Sequence, residues 1–370
     1  MNRYNYILAI LLCYTSSLHG RELRRTFETS RYQGHGNAGL ANVSGISSLY
    51  YNPAGLALHP ERSEEISILD PQITASEELF AAYNKQEEYR DVELDGAEIV
   101  GEIEDKNLHV GFQDFLGGSF DQLTFGFIAG NYTNLSIKFL DANLEKSQAL
   151  LESVSHTGIM VGHGREIMDD LYAGVVLKGL MKKDIYYPGN GFDLLLDISE
   201  ISKAEKGEKK EIIREKMMDG EGKAVGLDFG LIYKKEGRHM DAAYGLVVQD
   251  VGDTSYGNVA RPDKQMVSAG STLSTEVERQ NFAVAFDYLD LFNHSNETFS
   301  KHTLFGLMWD YQRFVGASMG LHQGYPTAGL WCALWLITAE YSFYIADVGE
   351  QTGMFPSYRN SIHARIGWQF

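Results

Sequence analysis

The sequence predicts an all-β fold: a transmembrane antiparallel β-barrel of about fourteen strands, with an N-terminal segment as a plug. Three observations predict it. Ile362, Ala364, Ile366, Trp368 and Phe370 alternate with His363, Arg365, Gly367 and Gln369 to the last residue, the period of a strand with one apolar face. Chain ends ordinarily fray, but the last strand of a closed barrel must pair with the first to leave no edge in lipid. At the other end, Arg3, the apolar run Tyr6–Tyr14 and the small and polar residues Thr15–Gly20 read as a signal peptide over 1–20. Between the two ends no run reaches eighteen apolar residues, so no transmembrane helix is expected, whereas barrel strands need only about ten alternating residues each.

The elements follow in order. Cleavage is expected after Ser17 or Gly20. Leu12 is large where a lipid-anchor signal before Cys13 would want a small residue. Residues 21–60 are the expected plug. They are rich in Gly, Ala, Ser and Asn, with Gly34, Gly36 and Gly39 in a small-residue stretch and Asn52-Pro53-Ala54-Gly55 near the end. Small residues let backbones approach closely inside something narrow. Pro53 fixes φ and biases Asn52 toward extended backbone, Asn52 can bond backbone groups the turn leaves unpaired, and Gly55 permits a tight exit. This turn is expected to act either as the pivot of a gate or as part of a static filling.

Residues 61–370 form the expected barrel, with long charged loops near 73–106 and 188–222. Glu64–Leu69 reads as a first strand and Glu77–Tyr89 as a short amphipathic helix. From Asn107 onward strand patterns dominate. In Ala224–Lys234, Val225, Leu227, Phe229, Leu231 and Tyr233 alternate with Gly226, Asp228, Gly230 and Ile232. In Thr338–Ala346, Ala339, Tyr341, Phe343 and Ile345 oppose Glu340 and Ser342. Asp228 and Glu340 would face the lumen of a barrel. Further strands are expected over 123–128, 135–140, 158–164, 172–181, 242–249, 267–273, 282–288, 303–309, 314–322 and 328–335. Tyr186, Tyr187, Tyr311, Phe314, Phe355 and Tyr358 sit at strand ends, as interfacial girdles do.

Composition bounds the function. The net charge of -18 argues against nucleic acid, which needs clustered Lys and Arg. With Cys13 in the signal, Cys332 is the one cysteine left, so no intramolecular disulfide is expected. Mean hydropathy of -0.24, 12% aromatics and 38 glycines suit a barrel but also a secreted sandwich.

Ser30-Arg31, Gly34–Gly39 and Ser47–Leu56 (Ser-Ser-Leu-Tyr-Tyr-Asn-Pro-Ala-Gly-Leu) resemble the N-terminal hatch of the FadL/TodX-like outer-membrane proteins. Asn52, Pro53 and Ala54 match its Asn-Pro-Ala motif. Gly245–Gly252, Ala285–Phe292 and Gly320–Gly324 followed by Ala328–Leu330 are similar to the PorV-like and TraF-like subgroup. Residues 140–222 match neither. The resemblance implies a fourteen-stranded outer-membrane barrel with a plug, in contact with outer-membrane lipids and delivered by the barrel assembly machinery. It further implies passive uptake of small hydrophobic compounds, such as long-chain fatty acids, past the hatch and through a lateral opening. A PorV-like member would instead assist protein secretion or surface assembly, with a secreted protein as partner. No fatty-acid pocket residue carries over, and Gly367 departs in position from the usual assembly signal.

No cofactor, metal or catalytic constellation is read. Gly316-Ala317-Ser318-Met319-Gly320 matches a nucleophile-elbow pattern but sits inside alternating strand. Gly220–Lys223 lacks P-loop spacing, and Asp287 and Asp290 lack the glycine and distal glutamate of a calcium loop. The eleven histidines are scattered.

Overall fold

The computed structural model describes residues 25–58, 65–81, 84, 106–120, 123–139, 147–186, 194–197, 218–257, 259–295, 297–312, 314–348 and 356–369. The signal peptide, Cys13, Tyr187, Phe355 and Phe370 lie outside them.

Sixteen strands form one sheet: β1 (Glu65–Leu69), β2 (Gln72–Ser76), β3 (Asn107–Phe120), β4 (Leu123–Phe139), β5 (Ser147–Met168), β6 (Leu171–Tyr186), β7 (Leu194–Asp197), β8 (Met218–Lys235), β9 (Asp241–Gln249), β10 (Met266–Val277), β11 (Gln280–Tyr288), β12 (Thr303–Tyr311), β13 (Val315–His322), β14 (Tyr325–Leu334), β15 (Ile337–Asp347) and β16 (Pro356–Gln369). β1 and β2 share one stave, because both pair antiparallel with β16 on one side and β3 on the other. β7 pairs with residues 148–151 of β5 and lies off the main path. Counting β1 and β2 once and leaving out β7, the sheet closes as a fourteen-stave antiparallel barrel.

Closure follows from the side-chain pattern. Phe125, Phe127, Ile159, Val225, Phe286, Met319, Leu330 and Ile362 are exposed on the outer face, while Lys178, Asp228, Asp287, Glu340, Arg359 and His363 are buried on the inner one. This inverts the usual distribution of a water-soluble protein, and it suits a wall with lipid outside and a filled polar interior. Every wall strand pairs on both sides, which leaves the bilayer no open edge.

The two rims differ. At one, the turns are short: 121–122, 169–170, 236–240, 278–279, 312–314 and 335–336. At the other, the connections run over 77–106, 140–146, 187–217, 250–265, 289–302 and 348–355, and only 323–324 is a tight turn. Tyr311, Phe314 and Trp335 are exposed at the short-turn rim and Tyr358 at the long-loop rim.

Three readings of strand boundaries change. Residues 123–128 and 135–139 belong to one strand, β4, because Asn131 to Asn134 continue the ladder with β5; residue 140 of the expected second strand lies outside the described residues. Asn107–Phe120 is a full strand whose Gly-rich end hides its period. The framing strands end at Ser76 and begin again at Met218, so Gln72–Ser76 and Met218–Gly222 leave the expected loops for strands, and β7 (Leu194–Asp197) lies within the second of them. Of the helix read over 77–89, residues 77–81 and 84 are described, and they are helical.

Residues 25–58 hold no strand. They form a helical turn (Ser30–Gly34) and two 3-10 turns (Gly45–Leu49 and Pro53–Leu58), and most of their side chains are buried.

Candidate functional site

Residues 25–58 pack on the inner face of the wall, and inward glycines make room for them. Gly164, Gly174 and Gly230 sit opposite one another across β5, β6 and β8. A Cβ at Gly164 would meet Leu56 and Ala57, at Gly174 the Pro53 carbonyl, and at Gly230 the Asn52 side chain. Gly245 and Gly270, paired across β9 and β10, seat Leu40. Gly306 and Gly320, paired across β12 and β13, seat His35 and Gly36. Gly329 of β14 lies against Gly34. Sequence reasoning found the small residues of the segment but not the wall glycines that receive them. Their inward position, as with Gly226 and Gly230 in the β8 pattern, was the available signal.

The expected site residues separate into roles. Asn52 Nδ2 donates to the carbonyls of Leu40 (2.8 Å) and Leu231 (3.3 Å), and its Oδ1 accepts the Ala54 amide (3.1 Å). The Gly55 amide donates to the Asn52 carbonyl (3.0 Å). The turn thus ties two parts of the segment to β8. Gly34 and Gly36 touch the wall, whereas Gly39 makes room for the Tyr32 ring of the segment itself. Ile362, Ala364 and Ile366 are far from these contacts. They face outward on β16, whose register sets Trp368 opposite Ile66.

Two arcs of the lumen hold the segment by different means. Toward β3–β6, Phe27, Val43, Ile46, Leu49, Tyr50 and Leu56 pack with Phe115, Ile128, Met160, Val176 and Leu180 of the wall. The Phe27 and Tyr50 rings lie 4.7 Å apart and Phe115 sits edge-on to both, an arrangement aromatic rings favour.

Toward β11–β16 directional contacts lead, beside a smaller apolar cluster of Ala38 and Leu40 with Val247, Ala285, Leu289 and Leu304. Asp287 Oδ2 accepts the Gly39 (2.7 Å) and Leu40 (3.0 Å) amides. Glu340 accepts the Arg31 amide (3.0 Å). Thr327 Oγ1 accepts from the Gly36 amide (3.0 Å) and donates to the Gly34 carbonyl (2.9 Å). None of these wall residues could be linked to the segment from sequence, because each pairing spans more than 240 positions. Burial pushes the His35 imidazole down to about 4, so the ring is neutral and its Nδ1 donates to the Ala38 carbonyl (2.9 Å).

A cavity of about 250 Å³ lies beside this polar arc, lined in part by Arg31, Tyr32, Asp70, Glu340, His363 and Arg365. His363 is held between Glu340 (2.8 Å) and Asp70. A smaller one of about 110 Å³ is lined in part by Arg25, Gln113, Tyr132, His156, Lys182 and Asp263. Among the described residues no group of three or more His, Cys, Asp or Glu is placed to hold a metal ion. Ser318 of the pentapeptide 316–320 lies inside β13, buried against Gly34 and Gly329. It is not at the strand-to-helix turn that a nucleophile elbow requires.

The wall is interrupted once near the apolar arc. β3 pairs with β1 through 117–119 and with β2 through 110–113, which leaves 114–116 without ladder partners on that side. Asp114 Oδ1 accepts the Asp70 amide there (3.0 Å).

No protein-family model and no curated protein matches the chain by sequence. Among solved structures it is similar to the P. putida toluene transporter TodX, at 14% identity and a TM-score of 0.43, over 91% of this chain and 95% of that one. It is similar to the Ralstonia pickettii toluene transporter TbuX at 13% identity and a TM-score of 0.47, over 92% and 97%. LpxR from Salmonella typhimurium aligns at 9% identity and a TM-score of 0.35, over 80% and 99%. These likenesses concern barrel architecture and carry no residue role or ligand to this chain.

Proposed function

We propose that the chain is a FadL-like outer-membrane barrel that admits small hydrophobic compounds, with residues 25–58 as its plug. The observation that carries this reading is the larger of two apolar clusters in the lumen, shared between the plug and β3–β6. When the plug shifts, Phe115, Ile128, Met160, Val176 and Leu180 lose their apolar partners. An apolar compound restores the buried area at about 25 cal/mol per Å². Water does not, so the site selects by hydrophobicity. The interruption at 114–116 supports a lateral exit beside Phe115, since fewer backbone bonds hold the wall there. No cofactor or reaction is invoked. Long-chain fatty acids are one candidate class and compact hydrocarbons another, and the cluster favours neither.

A second reading, a platform for a secreted partner, draws on the filled lumen and its buried charges, which offer no open apolar tube. The experiment that separates them is mass spectrometry of organic extracts from detergent-purified protein, with an unrelated barrel as control. A stoichiometric apolar molecule found in this protein and not the control supports uptake. An extract that matches the control moves the weight to the platform.

A further inference from the structure

The described residues of the loop 250–265, which are 250–257 and 259–265, do not stay over their own strands. It leaves β9, crosses the inner faces of β8 and β6, and reaches β5 before returning to β10. Thr254 and Tyr256 lie against Gly226 and Gly222 on the inner face of β8. Lys178 of β6 bridges Asp228 of β8 (2.8 Å) and Asp250 of the loop (2.6 Å). Lys182 of β6 bonds Asp263 (2.7 Å) and the Arg261 carbonyl (3.0 Å). Arg261 bonds Asp184 of β6 through Nε (2.8 Å) and Nη2 (3.0 Å) and reaches Glu152 of β5 (2.7 Å), three staves from where the loop began. Within the loop, Thr254 and Asp263 pair by backbone, and the Tyr256 hydroxyl donates to Asp263 (2.7 Å).

The height of this feature matters. β8 extends past the end of β9 by residues 218–228, and Glu221 and Lys223 point outward there. The outer face is charged at Glu221 and Lys223 and apolar at the exposed Val225, so the loop lies inside the long-loop mouth and reaches down to the edge of the apolar band at Gly226. Beneath it, Tyr256 and Ala260 join the apolar cluster that contains Leu180, Leu49 and Phe27.

We infer that residues 250–265 are an ion-paired lid over the apolar site, opened and closed independently of the plug. This rests on the reading of the lumen as a route. The chemistry of the contacts supports motion rather than permanent fill. A lid held by apolar area pays that area back to water whenever it opens. Buried ion pairs stabilise little beyond their desolvation cost, and the charges regain hydration on exposure. Lys182 and Arg261, level with the outward Glu221 and Lys223, become wet when the loop lifts, and that hydration offsets the ion pairs lost. Tyr256 and Ala260 are the apolar part that senses an occupant below. The lid would thus favour compounds that offer Tyr256 an apolar surface and still fit beneath it.

The test uses the full chain in liposomes, with Cys332→Ser and a reporter thiol at Leu180→Cys on the inner face under the lid. A water-soluble, membrane-impermeant maleimide reads its accessibility, and heat-modified gel mobility confirms a folded barrel. Arg261→Gln is expected to raise the labelling rate on the order of tenfold, and 1 M salt to raise that of the parent by a smaller factor. A rate that neither change moves overturns the lid. A second variant keeps the idea falsifiable if Arg261→Gln misfolds. Gly226→Cys with Thr254→Cys, without the reporter thiol, locks the loop to β8 under oxidant, and the ion conductance of the reconstituted barrel should then fall and recover on reduction. Conductance indifferent to the lock also overturns it. Uptake of a fluorescent fatty acid, measured in parallel, separates the two claims. Labelling that responds without uptake leaves the lid standing and removes the transport reading, while uptake with unresponsive labelling does the reverse.

Discussion

The lumen's two arcs grip the same segment with opposite physics. Between plug and β3–β6, contact is by shape and area, with Phe27, Tyr50 and Phe115 at its centre. Between plug and β11–β16, contact is led by peptide groups pointed at Asp287, Thr327 and Glu340, beside a smaller apolar patch of Ala38 and Leu40 on Ala285 and Leu304. Apolar contact is non-directional and can be replaced by any apolar occupant. Hydrogen bonds to a carboxylate fix register and tolerate no substitute of that kind. The polar arc therefore sets where residues 25–58 rest, and on the proposed uptake reading the apolar arc sets what can take their place.

The largest effect expected is at Phe115, which is fully buried. Phe115→Ala should destabilise the barrel by ~3–5 kcal/mol, and a small aromatic such as benzene should restore part of that loss by filling the dry cavity. Thermal melts with and without benzene check both. Restoration by a polar additive of equal size would break the comparison.

Acid should act on the polar arc through His35. Its folded value, about 4, lies below the ordinary value near 6.5. The unfolded state therefore binds the proton first, and stability present above pH ~6.5 is lost as pH falls toward 4. The full loss is ~3 kcal/mol. The difference in stability between the parent and His35→Gln should shift by about that amount in melts taken from pH ~7 to ~4, which isolates this group from the arc's carboxylates.

Asp287→Ala leaves the Gly39 and Leu40 amides without their acceptor. Because Asp287 Oδ1 has no partner among the described residues, losing the buried carboxylate relieves some cost. The net should be about 2 kcal/mol, and benzene should not restore it. Asn52→Ala should have the smallest effect, ~1–2 kcal/mol, seen as faster proteolysis of the plug. If Asn52→Ala alters neither stability nor uptake, the turn is neither pivot nor strut.

Much of the wall was legible because a membrane strand writes its two environments in alternate residues. Val225, Phe229 and Tyr233 against Asp228 placed β8 and its lumen face correctly. The closing strand was legible for the same reason, from Ile362 to Ile366. β3 was not, because Gly117, Gly118 and Ser119 near its end carry no period. The split of β4 came from Asn131–Asn134, whose polar run resembles a turn. At the site, Asn52 and Gly34 announced close packing, but Asp287 read as one acid among many. Its role comes from facing Gly39, and nothing local encodes a contact 248 positions away. The loop at 250–265 was hidden likewise, since its partners lie on β5, β6 and β8.

The seam that joins β1 and β2 to β16 has a kinetic meaning. It pairs residues 65–76 with 359–369, so it closes the longest stretch of chain of any strand pairing among the described residues. Ladder contacts between neighbours such as β4 and β5 form over a few tens of residues. Pairings that close long loops come slowest. Residues 25–58 precede that seam strand in the chain and already touch inner faces from β5 to β15. They are therefore in place to draw the two ends of an open sheet together. The plug is expected to serve first as the mandrel on which the ring is wound, and its removal by deletion of residues 25–58 should slow closure of the barrel even where the finished wall is unchanged.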